Sequence, residues 1–132
     1  RWLVHRPKAE MFTKQAVCIS TAAGAGMKST NKDMADSLFF WGVPKIYKMG
    51  FAVRAINWNG VTDKTRVKID RQVDKVARQI RSHYGNAKPG LKTKAWFYAM
   101  RMVQSKFGWC APDVKYWNEM GWTKKVRPWK GI

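Results

Sequence analysis

The stretch that decides the fold is QAVCISTAAGAGMKSTNKDMADSLFFWG, which runs from Gln15 to Gly42. It opens with a short apolar run, Gln15 to Ser20, of the kind that forms a strand covered on both faces in a parallel sheet. The chain then passes through small residues, Thr21 to Gly26, into a helical pattern that ends at Gly42. A strand, a small-residue loop and a helix in this order predict half of a βαβ crossover.

The limits of this first helix follow from its ends. Thr30 and Asp33 resemble a capping box, so the helix is expected to start near Thr30. Gly42 is a natural residue to end it, in the left-handed conformation that glycine adopts easily. Apolar residues that recur at helical spacing are expected to face the core: Met34, Leu38 and Trp41.

A second strand and a long helix are predicted next. The strand candidate runs from Lys45 to Ile56 with an interruption at Gly50, and a right-handed crossover makes it parallel to the first strand. A helix follows from Thr62 to about Arg81. Its apolar stripe consists of Ile69, Val73, Val76 and Ile80. Its basic residues favour a solvated face: Lys64, Lys68, Arg71, Lys75 and Arg78.

Beyond the breaker cluster of residues 85–90, the pattern is helical again. One helix is expected from Leu91 to Phe107, with Trp96, Met100, Val103 and Phe107 on one side, and a short one from Pro112. The tally of two strands and four helices predicts an α/β fold. Because a two-stranded sheet is marginal alone and its first strand has an open apolar edge, we expect another strand to complete the sheet. That strand is expected from a preceding half, as the start at Arg1 also indicates, or from a second subunit in a homo-oligomer.

The net charge of +18 favours anionic ligands, and it leaves open a basic module that binds nucleic acid or an anionic membrane surface. The charge is spread along the chain, however, with 16 Lys and Arg against 6 acids in residues 1–85 and 10 against 2 in residues 86–132. Cys18, Cys110, His5 and His83 are isolated in sequence, so neither a metal site nor a disulfide is predicted. Without a long apolar segment or a secretory pattern, a cytoplasmic protein is expected, with membrane-surface association as an alternative.

The segment AVCISTAAGAGMKSTNKDMADSLFFWGVPKI resembles the second half of the flavodoxin-like NAD(P)H-dependent oxidoreductases, including the branch related to iron–sulfur flavoproteins. In that family a central strand ends in Ser/Thr-Thr, small and Gly residues follow, and the next helix ends in Trp-Gly-Val. The lead-in, His5 to Pro7 with Met11 and Phe12, is also similar. The resemblance covers residues 1–85, as the carboxyl-terminal half of a flavodoxin-like domain. Residues 86–132 are a basic, aromatic-rich helical extension.

The resemblance implies a flavin-dependent oxidoreductase, or a fragment of one, with FMN as cofactor and NAD(P)H as electron donor. It places the following residues beside the isoalloxazine ring: Ser20, Thr21, Ala22, Ala23, Gly24, Ala25 and Gly26. Small residues there allow close approach of the backbone to a flat ring. The alternative is a loop that only turns the chain into the helix.

The family's other cofactor elements fall outside these residues. Its FMN phosphate is held by a loop after the first strand, a second ring-contacting loop follows the third strand, and the cluster cysteines of the iron–sulfur branch also lie upstream. The resemblance therefore assigns no phosphate site, metal site or acid–base residue to this chain. Residues 1–132 alone are expected not to retain FMN on purification.

Overall fold

The structure is a computed structural model that describes residues 3–130. Its elements, in chain order, are β1 (Gln15–Ala22), α1 (Met27–Phe40), β2 (Lys45–Ala52), α2 (Asp63–Ser82), α3 (Leu91–Met102) and α4 (Ala111–Glu119). A 3-10 turn, Ala9–Thr13, precedes β1, and a π-helical turn, Val103–Phe107, continues α3. The α/β class is confirmed, and the arrangement is consistent with part of a flavodoxin-like sheet followed by a helical extension.

The two strands pair in parallel, as the crossover rule predicts, in a register that joins Gln15 to Lys45 and Ala22 to Ala52. The expected interruption at Gly50 is wrong, because β2 passes straight through it. A Cβ atom at Gly50 would lie 2.8 Å from the Cβ of Met27. The glycine therefore allows α1 to pack closely on the sheet instead of breaking the strand.

Helix α1 begins at Met27, so the start expected near Thr30 is wrong. Gly26 takes the N-cap position with φ 99°, a left-handed conformation that favours glycine. The hydroxyls of Ser29 and Thr30 donate to the Gly26 carbonyl at 2.8 Å and 3.1 Å, which occupies the side chain expected to cap the helix. The loop between β1 and α1 is consequently shorter than the one expected from a helix start near Thr30.

The end of α1 agrees with the sequence. Gly42 has φ 94°, its N–H donates to the Phe39 carbonyl at 2.9 Å, and the N–H of Val43 donates to the Leu38 carbonyl at 3.1 Å. This is the Schellman arrangement of a helix C-terminus. The expected core position of Trp41 is wrong, since its side chain is 44% exposed.

Helix α2 covers one face of β2. Thr62 caps the helix, and Met49, Phe51 and Val76 are buried together between helix and strand. Ile69 and Ile80 pack against this group, as their place in the apolar stripe predicts. Val73 does not join it and is exposed. We call β1, β2, α1 and α2 the sheet unit.

The largest buried group lies elsewhere and is mainly aromatic. It combines α3, α4 and the segments that flank them with the amino-terminal segment: Leu3, Phe12, Phe97, Met100, Trp117 and Trp122. We call this group the aromatic core. Because Leu3 and Phe12 belong to it, the amino-terminal segment packs against the carboxyl-terminal helices. The boundary near residue 85 stays a prediction.

The face of α3 that enters the aromatic core matches the expected one in part, because Met100 belongs to the core and Val103 packs against it. Phe97 and Met100 are buried, whereas Trp96 and Phe107 are exposed. The helical run continues to Phe107 as expected, but its last turn widens into the π-helical turn, which changes the angular spacing of its side chains. Within residues 3–130, no helix combines the length and apolar character that crossing a bilayer requires.

Candidate functional site

The predicted ring-contacting loop, residues 21–26, follows β1 at the carboxyl edge of the parallel pair. The N–H of Val53 donates to the Ala22 carbonyl at 3.0 Å, so the pairing with β2 continues to the start of the loop. The loop that leaves β2, residues 53–62, emerges at the same edge. Ligands of doubly wound sheets bind at this edge, so the loop stands where that architecture forms its sites.

Hydrogen bonds fix the two ends of the loop and leave its middle free. Ser20 Oγ donates to the Met27 carbonyl at 3.3 Å, which joins the end of β1 to the start of α1. Among residues 3–130, the backbone N–H groups of Ala23 to Gly26 have no hydrogen-bond partner. They are therefore available as donors to a ligand.

The predicted site residues differ in exposure. Ser20 and Ala22 are half-buried at the strand end, while Thr21 and the segment from Ala23 to Gly26 are exposed. A Cβ atom at Gly24 or Gly26 would meet no heavy atom within 4 Å. The loop thus offers one open surface and forms no enclosed pocket by itself.

The outer edge of β1 lies next to this loop. In the described part of the chain, the backbone of β1 pairs with β2 alone. Ile19, on the face of β1 turned toward α2, is 56% exposed because α2 lies over β2 and leaves this strand partly uncovered. The open apolar edge expected from the sequence is therefore present.

The loop after β2 carries features that sequence reasoning missed. Arg54 adopts φ 50°, an uncommon conformation for a residue with a side chain. The Arg66 guanidinium lies 5.1 Å from the Trp58 ring centroid and donates to the Trp58 carbonyl at 2.8 Å. This arrangement holds an exposed indole at the carboxyl edge. Neighbouring Asn and Gly residues in the sequence were the available signal of an ordered turn.

A second missed feature is a cleft of about 420 Å³ between α1 and the outer edge of β2. It is lined by Met27, Lys28, Asn31, Lys32, Lys48 and Gly50, and none of residues 20–26 takes part. Asn31 is 4% exposed, and its Nδ2 donates to the Met49 carbonyl at 2.9 Å. Its Oδ1 has no hydrogen-bond partner, so this cleft contains a buried acceptor as well as lysines.

His5 is not isolated, contrary to its appearance in the sequence. Its Nδ1 lies 2.7 Å from Oδ2 of Asp113, which is 1% exposed, and Arg6 Nε lies 3.1 Å from Oδ1 of the same carboxylate. The Trp117 indole donates to the His5 carbonyl, and the Tyr116 hydroxyl donates to the Pro7 carbonyl at 2.6 Å. These bonds fasten the amino-terminal segment to α4, which is a structural role.

Both cysteines are free thiols, and neither belongs to a group of metal-binding side chains among residues 3–130. Cys18 is buried in β1, where burial raises the pKa of its thiol and nearby Lys48 acts in the opposite direction. Cys110 is exposed ahead of α4. Within residues 3–130, no three His, Cys, Asp or Glu side chains gather into a group that could hold a metal ion.

No protein-family model, curated protein or solved structure matches this sequence.

Proposed function

We propose that the protein is an FMN-dependent NAD(P)H oxidoreductase in which Ser20 to Gly26 form part of the isoalloxazine pocket. One observation carries the proposal: a loop of small residues with unpaired backbone N–H groups at the carboxyl edge of a parallel sheet. The resemblance of the surrounding sequence to flavodoxin-like oxidoreductases supports the same assignment. The alternative is a basic, non-enzymatic module that binds nucleic acid or an anionic membrane.

The loop residues fit a flat aromatic ring. The open space over Gly24 and Gly26 lets a ring approach the backbone closely. The N–H groups of Ala23 to Gly26 can donate to ring oxygen and nitrogen atoms and so hold the ring in one orientation. Bound FMN would accept hydride from NAD(P)H, and the loop would position the isoalloxazine ring.

The open edge of β1 supports a pocket whose opposite wall comes from another strand. We propose that an additional segment or a second subunit pairs there and brings the phosphate-binding loop, with a homo-oligomer as one form of this arrangement. The free cysteines accord with a reducing, cytoplasmic location.

The test is made on the native gene product that carries this sequence. Purified under mild conditions, it is expected to be yellow, to release FMN on denaturation and to oxidise NADH or NADPH. The Gly24→Val variant is expected to lose at least about tenfold in FMN affinity, because its side chain occupies the space over the loop.

Gly90→Val is the matched control. A Cβ atom at Gly90 also meets no heavy atom within 4 Å, and φ of −74° accepts a branched side chain. This variant is expected to bind FMN like the native protein. A native product that binds no flavin, or a Gly24→Val variant that binds FMN unchanged, contradicts the proposal.

A further inference from the structure

Basic side chains that are spread along the sequence converge on the outer edge of β2. Two clefts, of about 370 and 420 Å³, border this edge on the α2 side and the α1 side, and a third of about 510 Å³ lies along α2 and shares Lys68 and Arg71 with the first. Their linings include Lys28, Lys32, Lys48, Lys64, Lys68, Arg71 and Lys75. We call these residues the β2-edge basic surface. The focused patch that the sequence does not reveal is therefore present in the fold.

The α2 part of this surface forms a straight row. Positions 64, 68, 71 and 75 are spaced by four, three and four residues, so they lie on one side of the helix. At about 1.5 Å per residue the row is about 16 Å long. Its side chains are exposed, as the solvated helix face expected from the sequence predicts, and the row also borders the edge of β2 at Lys48.

Few carboxylates neutralise this surface. Lys32 pairs with Asp36 at 2.7 Å, and this hydrogen bond lowers the pKa of the carboxyl. Within residues 3–130, the other six members of the surface form no ion pair. A single lysine such as Lys48 can serve to protect an edge strand from pairing, but that role does not account for the row on α2.

The shape and chemistry of the surface favour a flexible, phosphate-bearing chain. The clefts are concave and lie on both sides of a narrow strand edge, with Lys48 shared between two of them. Asn31 lines one of the clefts, where its Oδ1 is buried without a hydrogen-bond partner, and the phosphates of a nucleic-acid chain complement the lysines. A membrane surface fits less well, because Val67 alone is exposed among the apolar side chains that line the three clefts, and one valine gives little apolar area to insert.

We infer that the β2-edge basic surface binds single-stranded nucleic acid through its phosphates. The three lysines and the arginine of the α2 row contact successive phosphates, and the nucleic-acid strand continues past Lys48 into the cleft that Asn31 lines. This inference does not rest on the proposed flavin function, since the surface contains none of residues 20–26.

The test uses fluorescence anisotropy with a labelled 20-nucleotide single strand, titrated at several salt concentrations. The triple variant Lys68→Gln/Arg71→Gln/Lys75→Gln is expected to bind at least about tenfold more weakly at low salt. The slope of log affinity against log salt is expected to fall by about 2, because three phosphate contacts are lost on a single strand.

The matched control removes the same charge elsewhere. Lys88→Gln/Lys124→Gln/Lys125→Gln changes three exposed lysines that form no ion pair among the described residues, and it is expected to keep most of the affinity and the slope. The charge-preserving variant Lys68→Arg/Lys75→Arg should bind like the native protein, which separates loss of contacts from loss of folding.

Several results would overturn the inference. Equal losses in the two triple variants would mean that net charge alone attracts the strand. Absence of binding at low salt would remove the site altogether. Tighter binding to duplex DNA, or to vesicles with anionic lipid, with the same sensitivity to the α2 variant would assign the surface to a different partner.

Discussion

The aromatic core buries more apolar side chains than the group between β2 and α2 in the sheet unit. The aromatic core encloses six buried apolar side chains, several of which meet edge to face, such as Trp117 and Trp122 with ring centroids 5.4 Å apart. The group between β2 and α2 has three buried members, and Ile19 and Val73 nearby remain exposed. The contrast indicates that the aromatic core contributes more to the stability of the fold, while the sheet unit leaves more apolar surface exposed.

The largest expected effect on stability comes from a substitution in the aromatic core. Trp117→Ala removes a fully buried indole and its hydrogen bond to the His5 carbonyl, so we expect a loss of about 3–5 kcal/mol in the free energy of unfolding. Urea denaturation followed by circular dichroism measures it. The control is Trp109→Ala, whose side chain is 77% exposed and whose loss should stay within about 0.5 kcal/mol. Similar losses in both would show that the aromatic core is not the main source of stability.

The packing between α1 and the sheet gives a smaller effect. Gly50→Ala places a methyl group 2.8 Å from the Cβ of Met27, so overpacking should cost about 1–3 kcal/mol. Gly24→Ala, where the new atom meets nothing within 4 Å, should leave thermal stability unchanged. If the two variants unfold at the same temperature, α1 does not pack on β2 as closely as described.

The reaction rates of the two thiols, Cys18 in β1 and Cys110 ahead of α4, compare the two regions without a substitution. Cys110 is exposed and should react with iodoacetamide rapidly, whereas Cys18 should react at least about tenfold more slowly, because it is buried and burial raises the pKa of its thiol. Mass spectrometry of peptides over time measures both rates. Comparable rates would mean that β1 opens far more often than its burial indicates.

The raised pKa of Cys18 also makes the free energy of unfolding depend on pH. The folded protein keeps a proton on Cys18 that the unfolded chain releases above the ordinary thiol pKa of about 8.5. Any stability linked to this proton is therefore present below that pH and is lost as the pH rises through the folded pKa. Cys18→Ala should unfold with a flatter dependence on alkaline pH than the native protein.

Local patterns predicted local structure well. The apolar run of β1, the helix stop at Gly42 and the long α2 all follow from short-range periodicity and turn chemistry. The pairing of His5 with Asp113 could not be predicted, because the two residues are 108 positions apart and neither carries a local signal. The β2-edge basic surface was hidden for a related reason: its members belong to three elements, and only the fold brings them together.

The central claim is that the backbone of residues 23–26 contacts a flavin ring, and amide chemical shifts in NMR test it most directly. Adding riboflavin to the labelled protein is expected to shift the amide signals of Ala23 to Gly26, where the N–H groups lack partners. Because riboflavin has no phosphate, the signals of Lys68 and Arg71 should stay in place. If the loop signals do not move at the highest soluble concentration, or if the only shifts occur elsewhere, the loop is not a flavin-binding wall.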